Sequence, residues 1–197
     1  MPSRNAAGVI GLGLLGSAIA ERLIAAGIPV HGFDIDPTSV ARFAGQGGHG
    51  ESSAPAVLQC CESVMLCLPN SDVASMVLTE NLRDLREGIL IVDCTTGEPD
   101  SAEAAGERLS RRGVEYLDAT VGGSSKQVRA GEVIVMAGGS EAAFARARPL
   151  VDSFARAAFH LGPWGSGARM KLVLNMVLGL HRAVLAEALS FAETIGV

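Results

Sequence analysis

Three glycines in Gly11-Leu12-Gly13-Leu14-Leu15-Gly16 stand directly after an apolar run at 8–10 and open a helix-like stretch at 13–26. At that spacing the first glycine makes a tight turn, the second admits a pyrophosphate to the backbone, and the third lets helix and strand pack closely. The positive end of the helix then faces the phosphate charge. Leu12, Leu14 and Leu15 fill the loop between the glycines and share in the candidate cofactor contact. Asp34 follows at the end of the next apolar run, where a carboxylate accepts hydrogen bonds from the ribose hydroxyls of NAD and repels the 2′-phosphate of NADP. Asp36-Pro37 reads as the start of a further helix.

Polar residues also follow two later apolar runs: Leu68-Pro69-Asn70 after 64–67, and Thr95-Thr96-Gly97 after 89–93. Ligands of an open α/β sheet sit outside the carboxyl ends of its strands, so these are candidate cofactor contacts. Taken alone, Asn70 or Asp93 reads equally as a turn residue or a helix cap. In Asp118-Ala119-Thr120-Val121-Gly122-Gly123-Ser124-Ser125, glycines and hydroxyls together offer backbone N–H groups to a small carboxylate, with Lys126 and Arg129 close in sequence. Lys171 and Asn175, four apart, share one helix face. A lysine set between Met170 and Leu172 either snorkels to solvent or is partly buried with a lowered pKa that suits it to proton transfer. His31, His49, His160 and His181 show no ligand spacing. Cys60, Cys61, Cys67 and Cys94 have apolar neighbours and no paired spacing, which fits reduced thiols better than disulfides or zinc ligands.

The elements that must position these residues alternate. Apolar or β-branched runs at 8–10, 30–33, 64–68, 89–92, 114–117, 133–137 and 157–161 are separated by helical stretches at 13–26, 72–78, 99–112 and 141–155, which predicts an α/β fold with a largely parallel sheet. The stretches 45–50 and 122–129 read as glycine-bearing turns and loops. From 168 to 195 there is no proline and a single glycine, Gly179, which predicts one long helix or two with a bend there. Its apolar residues cover more than one face and ask for burial, predicting a homodimer through this helix. The 197 residues carry a net charge of −5, and 48% are hydrophobic. That acidic balance argues against a nucleic-acid or anionic-membrane partner and for a small soluble ligand. The unpaired, reduced-type cysteines predict a cytoplasmic compartment. No uninterrupted apolar run reaches the length of a membrane span. The apolar stretch at 6–20 behind Arg4 is interrupted by regular glycines, unlike a signal peptide.

Taken in order, these motifs resemble the β-hydroxyacid dehydrogenase family, which includes 3-hydroxyisobutyrate dehydrogenases and tartronate semialdehyde reductases. GLGLLG is similar to its GLGxMG fingerprint, LPNSDVASMVL to its LP-containing loop, and VDCTTGEP to its DxST segment. DATVGGSSKQVRAGEVIVMAGG is similar to DAPVSGGxxGAxxGTLxxMxGG, and GSGARMKLVLN to GxGxxxKxxNN. The chain departs at Thr120, Gly122, Ser124, Gln127 and Leu174. The resemblance implies a Rossmann-type, doubly wound NAD-binding domain over 1–162, followed at 163–197 by an interdomain helix that begins an otherwise missing all-helical domain. It implies Lys171 as catalytic acid/base, oriented by Asn175. It places Gly122, Gly123 and Ser124 on the substrate carboxylate, and Leu68, Pro69, Asn70, Val73 and Thr96 along the cofactor. NADP-preferring relatives tend to carry Asn-Arg-Thr where this chain has Asp34-Ile35-Asp36, so the expected cofactor is NAD. The implied reaction is hydride transfer between the nicotinamide and a short 3-hydroxy acid or its semialdehyde. Two other readings stand beside it: a cofactor-binding protein without turnover, and an imine reductase, disfavoured because those relatives generally lack an equivalent of Lys171.

Overall fold

The computed structural model describes residues 6–197; the first five positions of the expected 1–162 domain, Arg4 among them, lie outside the described residues. Eight strands form one sheet: β1 (Ala7–Ile10), β2 (Val30–Phe33), β3 (His49–Gly50), β4 (Ser63–Leu66), β5 (Leu90–Asp93), β6 (Glu115–Gly122), β7 (Val133–Gly139) and β8 (Ala155–His160). The helices are α1 (Leu14–Ala25), α2 (Pro37–Gly45), α3 (Ala54–Cys60), α4 (Ser71–Glu80), α5 (Pro99–Ser110), α6 (Ser125–Ala130), α7 (Glu141–Val151) and α8 (Ser166–Thr194).

The strand order is β3-β2-β1-β4-β5-β6-β7-β8. The first six are mutually parallel and wind outward in both directions from β1 and β4, as the sequence pattern predicts. β7 instead returns antiparallel to β6, and β8 follows β7 in parallel. A parallel return needs a crossover of about a dozen residues or more. Only residues 123–132 separate β6 from β7, and most of them are spent in α6, so the chain turns back on itself.

Each central strand is buried on both faces, which is why its residues read as continuous apolar runs. Val9, Leu90, Val92 and Leu117 meet Ile19, Leu23 and Phe154 on one side of the sheet. Ile10, Leu66 and Ile91 meet Val57, Leu109 and Tyr116 on the other.

Several expected boundaries move. The 45–50 stretch is not purely a turn, because His49 and Gly50 pair with His31 and Gly32 as a two-residue edge strand. The 122–129 loop is instead the end of β6 followed by α6, whose start is fixed by a reciprocal cap between Ser124 and Gln127. No bend divides the last helix, and α8 runs unbroken through Gly179. It carries exposed Met176, Leu180, Val184, Leu185 and Leu189. By length and composition it is also apolar enough to cross a bilayer, which counting uninterrupted runs overlooked, although core helices of soluble proteins pass the same test.

Candidate functional site

The carboxyl ends of β1, β2, β4, β5 and β6 open on one edge of the sheet. At the end of β1 the chain turns sharply through Gly11, whose φ of +93° suits a residue without a side chain. A Cβ at Gly11 would meet the carbonyl oxygen of Cys67, and one at Gly16 would meet the carbonyl oxygen of Gly11. These two glycines therefore serve close packing within the chain. Gly13 differs: among the described residues nothing lies within 4 Å of where its Cβ would be. It is also the N-cap of α1 and has no side-chain cap. The helix thus presents unpaired N–H groups and its positive end to open space, which is what a pyrophosphate requires.

Asp34 stands at the end of β2, as its spacing predicts. Its Oδ2 accepts from the Leu12 amide at 2.6 Å, and its Oδ1 accepts from the Asp36 amide at 2.9 Å. The carboxylate therefore pins the glycine loop to β2, a duty the sequence did not reveal, and each oxygen keeps a second lone pair for a ribose hydroxyl. Leu14 and Ile35 are almost fully exposed beside it. An uncapped helix start, open space over Gly13 and an acceptor at Asp34 fit a nicotinamide dinucleotide.

Two further loops line this edge. The Leu68 amide donates to Thr95 Oγ1 at 3.2 Å, which ties the turn after β4 to the one after β5. Pro69 and Thr96 are exposed on those turns, and Val73 is half-buried in the first turn of α4. Asn70 caps α4, its Oδ1 accepting from the Val73 amide at 3.0 Å. Asp93 is buried below, accepting from Tyr116 Oη and the Thr95 amide, both at 2.9 Å, and burial raises its pKa.

The strongest tie in the site joins β6 to α8. Gly165 leads into α8 with no side-chain cap on its own helix. The cap comes from Asp118: Oδ1 accepts from the Gly165 amide and Oδ2 from the Ala168 amide, both at 2.9 Å. Burial pushes the Asp118 carboxyl up to about 6 despite these bonds. Thr120 Oγ1 adds a bond to the Gly167 carbonyl at 3.0 Å, and a Cβ on Gly167 would strike the Met136 carbonyl oxygen. One turn further along, Lys171 Nζ donates to the Val121 carbonyl at 2.7 Å, at the carboxyl end of β6. Lys171 is half-buried and burial lowers its pKa. Of the two readings that the sequence left open, the structure has the partly buried lysine.

Lys171 faces an open groove of about 820 Å³ between β6, α6, β7 and α8, shared with Gly122, Gly123, Ser124, Asn175 and Arg182. The expected donor-rich loop is only partly free. Ser124 Oγ accepts from the Gln127 amide at 3.3 Å, and the Ser124 amide donates to Gln127 Oε1 at 2.9 Å, so Ser124 is engaged in capping α6. Arg129 lies outside the groove and pairs with Glu21 on α1 at 2.7 Å. Sequence reasoning missed the structural duties of Asp118 and Thr120, because the motif containing them was read for its glycines. It also gave Arg182 no place in the groove, although the spacing 171, 175, 178 and 182 marks one helix face.

Among curated relatives, a 3-hydroxyisobutyrate dehydrogenase of Pseudomonas aeruginosa is 37% identical over 193 residues, covering 95% of this chain and 64% of the relative. The chain thus spans just under two thirds of that relative's length. Among solved structures, Mycobacterium tuberculosis 3-hydroxyisobutyrate dehydrogenase with L-serine superimposes with a TM-score of 0.93 at 31% identity, covering 98% of this chain and 67% of that one. An imine reductase from Myxococcus stipitatus solved with NAD+ shares the fold, with a TM-score of 0.87 at 24% identity, covering 99% of this chain and 68% of that one. Residues 6–162, from the first described residue of β1's approach to the turn before α8, match the NAD binding domain of 6-phosphogluconate dehydrogenase, and the chain belongs to that family.

Proposed function

We propose that this chain belongs to an NAD-dependent oxidoreductase acting on a short 3-hydroxy acid or its semialdehyde, with Lys171 as general acid/base. The carrying observation is Lys171 itself: half-buried, held at 2.7 Å from the Val121 carbonyl, and placed at the same sheet edge as the glycine loop. A bound nicotinamide would supply the hydride acceptor, with its pyrophosphate over Gly13 and its ribose hydroxyls on Asp34. In oxidation, Lys171 Nζ in its neutral form takes the hydroxyl proton and passes it to solvent. In reduction, the ammonium returns a proton to the carbonyl oxygen. Burial lowers the ammonium's pKa and so enlarges the neutral fraction that can act as base at a given pH. Asn175, one turn along the same face, orients the substrate, and the Gly122-Gly123 backbone receives its carboxylate. Leu12, Leu15, Leu68, Pro69, Asn70, Val73 and Thr96 form the walls of the cofactor cleft.

NAD is preferred over NADP on this reading because Asp34-Ile35-Asp36 places two carboxylates and no arginine where a 2′-phosphate would lie. Residues 163–197 serve as the first helix of a second domain, and the exposed apolar face of α8 pairs with a second copy in the cytoplasm. An imine reductase is the second reading supported by fold; Lys171 weighs against it.

The test is Lys171→Ala. NADH binding is expected to stay within twofold of the wild type while oxidation of 3-hydroxy acids falls at least a hundredfold, the lower range for losing a general acid/base. Retained turnover would remove Lys171 from the mechanism. Tighter binding of NADPH than NADH would overturn the cofactor preference.

A further inference from the structure

Outside the cofactor cleft, three residues from separate elements meet where β2, β3 and the end of α3 converge. His31, Glu51 and Cys60 each offer one donor atom, all within 4.8 Å of one another. From the geometry we infer that they form a binding site for a zinc-class divalent cation.

Their placement is built into the fold. His31 and His49 are register partners in the β2–β3 pair, and the Glu51 amide continues that ladder by donating to the Gly32 carbonyl at 2.8 Å. Glu51 Oε1 then lies 2.7 Å from His31 Nδ1. The His49 ring stacks on that of His31 with centroids 5.0 Å apart, which fixes the imidazole plane from the outer side. Cys60 enters from the last residue of α3, half-buried, while its neighbour Cys61 is fully buried in the apolar layer beneath. The His31 and Glu51 side chains retain only 21% and 23% exposure.

One imidazole, one carboxylate and one thiolate match a borderline ion such as Zn2+ or Co2+, and they do not match Mg2+ or Ca2+, which take oxygen ligands. Three protein ligands leave a fourth tetrahedral position for water. On binding, the Cys60 thiol loses its proton to solvent and the His31 proton moves to Nε2, freeing Nδ1. Because β3 has only two residues, the ion would tie the weakest strand of the sheet to α3, and this strand pair leads directly to Asp34.

The test uses the full chain, stripped with chelator and titrated with Zn2+ and with Co2+. One ion per chain is expected, with a melting temperature that rises with metal concentration, as for any ligand of the folded state. Co2+ should show tetrahedral absorption with a thiolate-to-cobalt charge-transfer band. Cys60→Ser should abolish that band, and Glu51→Gln, an isosteric change with little risk to folding, should weaken binding at least tenfold. Substoichiometric binding, a cobalt spectrum unchanged by Cys60→Ser, or wild-type affinity in Glu51→Gln would each overturn the site.

Discussion

Gly13 and Gly16 are three residues apart in one motif, yet substituting each by alanine should have opposite consequences. A methyl group at Gly16 runs into the Gly11 carbonyl oxygen and comes within 3.0 Å of Cys67 Cβ. Overpacking of this kind costs about 1–3 kcal/mol. For a chain of this length, each kcal/mol moves the melting temperature by roughly 2–4 °C, so Gly16→Ala should melt about 2–12 °C lower. At Gly13 the methyl group meets nothing among the described residues, and φ −67° with ψ −158° is open to alanine. The lost N-cap preference of glycine and the reduced freedom of the unfolded chain are each worth a few tenths of a kcal/mol to about 1 kcal/mol, with opposite signs. Gly13→Ala should therefore melt within about 2 °C of the wild type. Its cofactor affinity should fall at least about tenfold, because the methyl group occupies the space that the pyrophosphate needs; tenfold is about 1.4 kcal/mol. Thermal unfolding followed by Trp164, which packs against the buried layer and donates to the Tyr116 carbonyl at 3.0 Å, gives the first number. NADH fluorescence titration gives the second. A stable Gly13→Ala that binds NADH as well as the wild type would refute the assignment of that open space to a phosphate.

Three further outcomes can be measured. Because burial lowers the Lys171 pKa below its ordinary 10.5, oxidation should gain rate as pH rises through that lowered value and reduction should lose rate over the same interval, as a pH profile of kcat/KM would show; an oxidation limb at or above 10.5 would contradict it. Asp118→Ala should cost about 2–6 kcal/mol in denaturant unfolding, since the buried Gly165 and Ala168 amides both lose their acceptor. The wild-type Asp118, with a folded value of about 6 against an ordinary 3.8, contributes stability that is full below about pH 4 and lost as pH rises through 6, by about 3 kcal/mol at most, and Asp118→Asn should lack that component. If α8 pairs two copies, Leu180→Glu with Val184→Glu should sediment as a monomer with the wild-type circular dichroism spectrum; an unchanged sedimentation coefficient would place the contact elsewhere.

The sequence was most legible where local spacing and fold agree. The glycine loop, Asp34 and five of the six parallel strands follow from period and punctuation alone, because a doubly buried strand leaves a continuous apolar run; the two-residue, exposed β3 leaves none. Features that depend on short elements or distant partners were not visible. α6 has only six residues and by composition reads as a loop, although Ser124 and Gln127 carry the S-x-x-Q cap signature that marks its start. The reversal of β7 depends on how little chain follows Gly122, a matter of geometry that hydrophobic period does not encode. Asp118 looked like one more polar residue in a glycine-rich motif, and its partners at Gly165 and Ala168 lie 47 and 50 positions away. His31, Glu51 and Cys60 show no ligand spacing because three elements contribute one donor each.

The seating of α8 has a mechanical consequence. The helix is 29 residues long, about 44 Å, and among the described residues its hydrogen bonds to the sheet, to Asp118, Thr120 and the Val121 carbonyl, all lie at its root. Lys171 stands about 9 Å along the axis from Gly165, inside that gripped stretch. The place of its ammonium is therefore set by β6, through Asp118, Thr120 and the Val121 carbonyl, and not by whatever covers the exposed outer turns.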